Sequence, residues 1–454
     1  MPKIRSFRPK NYKKAGSQQP FVSSKVEQNV TNSDLIGADY HDEPEVIQQL
    51  AVNSQQTQVS NFIGVDSRQA PVLPATAHDV VRMVSLGGVG NVTRNMYVYE
   101  YGDDILIVDC GIGFPEVEML GVDLVLPDIS YLKDKKHKIR GIVVSHGHDD
   151  HIGGLPYLWP ELNAPIYTQK LTAGFIRSKF TEFELPKDQI HAVDIDDHIE
   201  LGVFKISFYG ITHSVPDTTG IIIKTPIGNI VHQADFKIDW TPVIGKSPDL
   251  GKLAAVGDEG IVFMTIDCLR VEKQGYTLSE KTIEPTFAEV EAKTPGKVLI
   301  TTTSSNISRI QQAINVAVRS GRKLVLAGRS MDNNFQVGRD LGYLDVPAGL
   351  VIPQDEVKRF PDEKLMIIIA GSQGQPGSAL SRVANHDHKF IRISDKDSVV
   401  FSADPIPGSE IDQGSVGWRR IALDVNSDLE TPPAQRYSST VRPHADIDVG
   451  FRPR

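Results

Sequence analysis

Three imidazoles and two carboxylates fall within six consecutive residues, in the segment His146-Gly147-His148-Asp149-Asp150-His151. An apolar run over 139–144 precedes this segment and predicts a buried strand, and Gly153-Gly154 follows it and predicts a turn into a helix. A loop between a strand and a helix is held at both ends, so it keeps several ligand atoms at fixed angles. Neutral imidazole and carboxylate are donors that zinc accepts. The segment therefore predicts a metal site.

The spacing within the segment indicates two ions. His146 and His148 are two residues apart, so their side chains point to the same side of an extended chain and can share one ion. Asp150 and His151 then face a second ion. The alternative is a polar surface loop with histidines by chance, which suits one histidine better than three.

Three further residues lie at the ends of predicted strands. His213 follows a strand pattern and offers a third imidazole to the first ion, and Asp235 follows the hairpin 220–232 as the candidate carboxylate between the ions. Asp109 ends the apolar run 105–108, where it would accept the N–H of a ligating imidazole from behind. Alone, His213 or Asp235 would be an ordinary turn residue, but the histidine segment favours the ligand interpretation.

The bulk composition sets limits on the function. The chain has 454 residues, 40% of them hydrophobic, which allows two or three domains. The net charge of −9 excludes a global basic field, so any contact with nucleic acid is local. No apolar run is long enough to span a membrane, and the basic start has no apolar stretch behind it, so no secretory signal is predicted. Two cysteines, Cys110 and Cys268, indicate a reducing cytoplasm rather than a disulfide framework.

Residues 1–78 are rich in polar residues without steady periodicity, which predicts a disordered N-terminal extension. Its first 14 residues carry six basic residues and no acid. This basic start is either an RNA-binding arm or merely a solvated terminus. Further along, apolar runs at 298–303, 323–327 and 365–370 each lead through a polar loop into a helical stretch. Three such units predict a small parallel sheet. Their loops offer backbone N–H groups and hydroxyls that suit phosphate oxygens. The alternative is that the Ser and Thr residues of these loops only cap helices.

The order of Asp109, the histidine segment, His213 and Asp235 resembles the metallo-β-lactamase superfamily. The resemblance narrows to bacterial ribonuclease J in the segments 95–104, 108–111, 145–148, 212–217, 235–237, 328–331, 371–374 and 403–408. It implies an α/β fold, namely a metallo-β-lactamase αββα sandwich interrupted by an inserted β-CASP parallel α/β domain. The implied domains are 79–260 (metallo-β-lactamase), 261–392 (β-CASP), 393–410 (return to the metallo-β-lactamase domain) and 411–454 (a divergent, poorly ordered tail).

The resemblance implies a zinc-dependent ribonuclease, a 5′–3′ exonuclease and/or endonuclease, that hydrolyses RNA phosphodiesters in RNA maturation and decay, including rRNA processing. Two Zn²⁺ ions, with Asp150 and Asp235 among their ligands, would activate water. Asp267 matches the family's acidic β-CASP residue, which helps to protonate the leaving oxygen. The implied RNA contacts are Asn306, Arg329, Ser330 and Ser372. The implied partners are single-stranded, 5′-monophosphorylated RNA, and a second copy or other RNA-decay proteins.

The tail departs from the family pattern. Residues 411–454 lack its Ser-Gly-His-Ala and Val-His-Gly motifs and contain one histidine, His444, so we expect an incomplete second metal site and impaired activity. Two alternatives therefore stay open. One is a catalytically impaired RNA-binding homologue or partner subunit. The other is a hydrolase of thioesters or lactams, which is disfavoured because a small substrate needs no second domain over the cleft.

Overall fold

A computed structural model of the chain describes residues 80–115, 119, 121–269, 271–272, 274–375, 377–403 and 448–449. All of them lie in one compact unit, Phe62–Arg454. The predicted disordered extension, most of the predicted tail and His444 lie outside the described residues.

The first sheet has six strands in the order of the sequence. They are β1 Arg82–Gly87, β2 Met96–Tyr101, β3 Asp104–Val108, β4 Ile139–Val143, β5 Ile166–Thr168 and β6 Ile190–Ala192. β1 to β3 are antiparallel and β3 to β6 are parallel. The connecting helices are α1 Asp149–Ile152, α2 Leu155–Leu162 and α3 Lys170–Glu182. The central strands β2, β3 and β4 are largely buried on both faces, as expected for apolar runs with little polar alternation.

The second sheet has the strand order β11-β10-β9-β8-β7. Its strands are β7 Ile199–Leu201, β8 Phe204–Gly210, β9 Thr219–Thr225, β10 Gly228–Gln233 and β11 Ile261–Ile266, with α4 Leu250–Glu259 before the last one. Leu106 and Val143 of the first sheet pack against Phe208 and Ile221 of the second. Helices α2 and α3 cover the far side of the first sheet, and α4 covers the second. These layers confirm the predicted αββα sandwich.

The third sheet has the strand order β13-β14-β12-β15-β16. Its strands are β12 Val298–Thr301, β13 Lys323–Ala327, β14 Leu365–Ile369, β15 Ser398–Phe401 and β16 Asp448–Val449. Its helices are α5 Ile283–Lys293, α6 Ile307–Ser320, α7 Arg329–Asp340 and α8 Ala379–Ala384. The pairings of β13, β14, β12 and β15 are all parallel, so the three predicted strand–loop–helix units are confirmed. No helix in the described ranges is both long and apolar enough to cross a membrane.

Two strands have different places from those expected. β11 lies in the range 261–392 expected for the β-CASP domain, but it pairs in parallel with β10 and belongs to the second sheet. β15 pairs in parallel with β12 and belongs to the third sheet, so the expectation that 393–410 returns to the first domain is wrong for this strand. An apolar run of four residues suits either sheet, and long-range contacts decide between them. Asp397 accepts a hydrogen bond from the backbone N–H of Lys297 at 2.7 Å and pairs with its Nζ at 3.1 Å. The two residues of β16 pair antiparallel with β15, where no strand was expected.

Candidate metal centre

The predicted ligands are carried by strand ends that the fold brings to one edge of the sandwich. β4 leads into the histidine segment, and β8 and β10 run parallel to each other on either side of β9. His213 therefore follows β8 on the same edge at which Asp235 follows β10. A backbone bridge between Thr212 and Lys237 holds the two loops together.

The first cluster consists of His146, His148, His213 and Asp235, whose ligand atoms lie within 4.8 Å of one another. His148 Nδ1 lies 3.0 Å from His146 Nε2 and 3.2 Å from His213 Nε2. His213 Nε2 is 3.7 Å from Asp235 Oδ2. Ligands bound tetrahedrally at roughly 2.0–2.1 Å lie about 3.3 Å from each other, so the cluster has dimensions that fit a zinc ion.

The second cluster consists of Asp150, His151 and Asp235. His151 Nε2 lies 3.6 Å from Asp150 Oδ2 and 3.4 Å from Asp235 Oδ1. The two carboxylate oxygens of Asp235 thus face different clusters. This arrangement suits a carboxylate shared by two ions, which is the role that the sequence predicts for Asp235.

Asp109 lies directly behind the second cluster and is fully buried. Its carboxylate accepts hydrogen bonds from Ser145 N and Ser145 Oγ, both at 2.8 Å, and from His151 Nδ1 at 2.7 Å. Because Nδ1 of His151 donates to Asp109, Nε2 is the ring nitrogen that faces Asp150 and Asp235, and a metal bound there would take the ring in its neutral form. Asp109 also adopts a φ of +61°, a left-handed conformation that aspartate tolerates better than most residues.

Two residues at the site escaped the sequence analysis. Ser214 Oγ lies 2.7 Å from His148 Nε2, so it holds the ring with Nδ1 toward the first cluster. Asn95 Nδ2 lies 3.2 Å from His151 Nε2 and 3.5 Å from Asp150 Oδ2. Ser214 directly follows the predicted ligand His213, and this position was the one signal in the sequence that it contacts the site. Asn95 lies in a family-like segment but carries no chemical signal of its own.

Burial keeps the imidazoles of the first cluster neutral. It lowers the pKa of His146 and of His148 well below the ordinary value, and the neighbouring imidazoles lower both further. Burial also lowers the pKa of His213. A neutral ring offers a lone pair, so these three side chains are in the state that binds a metal.

The second cluster concentrates negative charge. Burial would lower the pKa of His151, but the carboxylates of Asp150, Asp235 and Asp109 raise it well above the ordinary value. Burial would raise the pKa of Asp235, but the charge of His151 and its hydrogen bond hold it well below. Burial raises the pKa of Asp150. Buried carboxylates that need a nearby positive charge fit a divalent cation.

Buried ion pairs join the metal loops to the third sheet. Lys237, two residues after Asp235, places its Nζ 3.2 Å from Glu280 Oε2. Glu280 Oε1 lies 2.6 Å from Arg309 Nε in α6, and Arg309 Nη1 donates to Ser402 O at 2.6 Å. These ion pairs and this hydrogen bond connect the loop after β10, which carries Asp235, to α6 and to the end of β15.

The remaining predicted residues differ in exposure. Arg329 and Ser330 begin α7 and are exposed, whereas Ser372 is buried. Asn306 is also buried, and its Oδ1 accepts the N–H of Arg309 as the cap of α6, which is the capping alternative considered for these loops. Asp267 follows β11, and its backbone N–H donates to Gln233 O at 3.2 Å, so it neighbours the strand end that carries Asp235. Burial raises the pKa of Asp267.

Two families match the chain. The metallo-beta-lactamase superfamily matches residues 89–247, and the family "Ribonuclease J, beta-CASP domain" matches residues 295–416. The chain is 43% identical over 340 residues to Ribonuclease J of Thermus thermophilus, covering 73% of this chain and 59% of that protein. It is 40% identical to Ribonuclease J2 of Bacillus subtilis, with 73% and 60% covered. It is also 40% identical to a Ribonuclease J of Helicobacter pylori, with 74% and 49% covered.

The sandwich, the two clusters and the first match identify a member of the metallo-β-lactamase superfamily. Within that superfamily, residues 295–416 form a ribonuclease J β-CASP domain, and the chain is 40–43% identical to the proteins named ribonuclease J above. The chain spans between 49% and 60% of the length of the three relatives named above.

Proposed function

We propose that the chain is a zinc-dependent ribonuclease that hydrolyses phosphodiester bonds of single-stranded RNA in RNA maturation and decay. The observation that carries this proposal is the pair of clusters that share Asp235. Three neutral imidazoles with carboxylates form a donor set that suits zinc. The relatives are named ribonucleases, and the β-CASP match supports a polymeric substrate. Free Cys110 and Cys268 support a cytoplasmic location.

The side chains at the metal centre would have different roles. His146, His148 and His213 would hold one zinc ion, Asp150 and His151 would hold the other, and Asp235 would contact both. Bound zinc lowers the pKa of water and neutralises charge on a phosphodiester. Asp109 fixes the orientation of His151. Asp267, whose pKa is raised by burial, would help to protonate the leaving oxygen.

The loops of the third sheet would bind the RNA backbone. Arg329 and Ser330 lie in the first turn of α7, where backbone N–H groups and a guanidinium favour phosphate. Asn306 and Ser372 are buried, so we assign them the shaping of their loops. Arg329→Ala should weaken RNA binding and leave the zinc content unchanged. Arg359→Ala is the matched control, because Arg359 is exposed and already paired with Glu356.

The test is zinc content together with hydrolysis of a 5′-monophosphorylated, single-stranded RNA. Under this proposal the chain binds two zinc ions and cleaves the RNA, although the missing tail motifs predict weaker binding of the second ion. His148→Ala should lose the ion of the first cluster and the cleavage. His198→Ala is the matched control, since His198 is exposed. An RNA labelled at its 5′ end separates exonuclease from endonuclease cleavage. Zinc-loaded protein that cleaves no RNA would refute the proposal.

A second candidate is an RNA-binding subunit with an incomplete second metal site. It is favoured by the second cluster, which in the described part of the chain offers three protein ligands, Asp150, His151 and the shared Asp235. Such a subunit would bind one zinc ion tightly and bind RNA without cleaving it. The same two measurements therefore distinguish the candidates.

A further inference from the structure

Arg94 has a backbone conformation that arginine rarely adopts. It lies between β1 and β2, directly before Asn95, and its φ is +61°. For residues other than glycine this left-handed region costs free energy, because Cβ approaches the following carbonyl oxygen. Such strain persists only where the surroundings enforce it, and it is concentrated at functional sites.

Two glycines make room for Arg94. A Cβ on Gly113 would lie 2.7 Å from Arg94 Cγ and 3.0 Å from Arg94 Cδ. A Cβ on Gly87 would lie 2.0 Å from Arg94 O and 3.0 Å from Arg94 Cβ. Both approaches are shorter than ordinary carbon contacts, so any side chain at either position would displace Arg94. Gly87 and Gly113 thus pack directly against the backbone and the stem of Arg94.

The guanidinium of Arg94 is available to a ligand. In the ranges that the structure describes, its side chain makes no hydrogen bond or ion pair, although the residue is half-buried. Two other arginines show the usual arrangement: Arg309 pairs with Glu280 and Arg322 pairs with Glu291. A half-buried guanidinium without a partner suits an anion with two acceptor oxygens.

Backbone hydrogen bonds join Arg94 to the second cluster. Its N–H donates to Ile112 O at 2.9 Å, and the N–H of Ile112 donates to Asp149 O at 3.0 Å. The N–H of Asn95 donates to Asp150 O at 2.9 Å. Arg94 is thus one residue from Asn95, whose side chain contacts the second cluster.

We propose that Arg94 binds a backbone phosphate of the single-stranded nucleic acid, beside the phosphodiester held at the metal centre. This inference rests on the proposed function, because the phosphate belongs to that substrate. Phosphate oxygens match the guanidinium fork in charge and geometry. The contact reads no base edge, so it contributes affinity without sequence preference.

The test is fluorescence anisotropy with a labelled, single-stranded oligouridylate of phosphorothioate backbone, titrated at several KCl concentrations. Arg94→Gln removes the charge and keeps the strain, whereas Arg94→Gly removes both. We expect both variants to bind about tenfold or more weakly, as for loss of a charged hydrogen bond. The slope of log affinity against log salt should fall by about 0.7, the value for one phosphate on a single strand. Arg359→Gln, the matched control, should change neither quantity.

The outcomes separate this inference from the proposed function. If the unaltered chain binds RNA and both Arg94 variants keep its affinity and salt slope, Arg94 is not a phosphate ligand. Loss of bound zinc in Arg94→Gly would also overturn the inference, since Arg94 would then only shape the metal loops. Failure of the unaltered chain to bind RNA would refute the proposed function instead. We expect Arg94→Gly to unfold at a temperature no lower than Arg94→Gln, because glycine accepts the left-handed conformation.

Discussion

Replacing Asp109 with asparagine tests how the second cluster is oriented. Asparagine keeps the shape and tolerates the φ of +61°. However, the carboxylate accepts from three donors, and an amide presents N–H where one oxygen was. If that N–H faces His151, the ring must carry its proton on Nε2, which removes the lone pair from the cluster. If it faces Ser145 N, two donors oppose each other in a buried place.

Either orientation weakens the second site. We expect zinc affinity there to fall by roughly 10–100-fold, as for loss of an outer partner of a ligating histidine. The free energy of unfolding of the metal-free chain should fall by about 1–3 kcal/mol, the cost of an unsatisfied buried donor.

Zinc titration against a chelator and urea unfolding measure these two effects of Asp109→Asn. Asp149→Asn is the control, because Asp149 is exposed and its ion pair with Lys179 at the surface contributes little. Unchanged affinity for the second zinc in Asp109→Asn would refute the reasoning that Asp109 sets the tautomer of His151.

Three further substitutions test other parts of the structure. Ser214→Ala removes the hydroxyl 2.7 Å from His148 Nε2 and should weaken the first zinc site without loss of thermal stability; unchanged zinc affinity would contradict this. Glu280→Gln leaves buried Arg309 without its carboxylate, so urea unfolding should show a loss of about 3–5 kcal/mol, and a loss below about 1 kcal/mol would contradict it. Burial raises the pKa of Asp217 from 3.8 to about 6, so the folded state binds the proton more tightly than the unfolded state. The resulting stability is fully present below about pH 4 and is lost as the pH rises through 6. Asp217→Asn should therefore gain stability relative to the unaltered chain between pH 4 and pH 7, by on the order of 2 kcal/mol; an equal difference at both pH values would argue against this.

Local sequence patterns determined the elements and most of the cluster. Apolar runs predicted β3, β4, β12, β13 and β14, because a buried strand needs only a short uninterrupted apolar segment. The histidine segment, His213 and Asp235 follow such runs, so their convergence at strand ends was predictable. The chemistry of metal binding restricts ligands to a few residue types, which made them visible in the sequence.

Tertiary structure alone decided the supporting contacts. The sheet to which β15 belongs depends on Lys297 and Asp397, which are 100 residues apart. The role of Ser214 in orienting His148 depends on which ring nitrogen of His148 faces the cluster. The left-handed conformation of Arg94, and the close packing of Gly87 and Gly113 against it, are visible only in the folded chain. Each of these is a contact between distant segments, whereas the periodicity of a sequence reports only the burial of each segment along its own length.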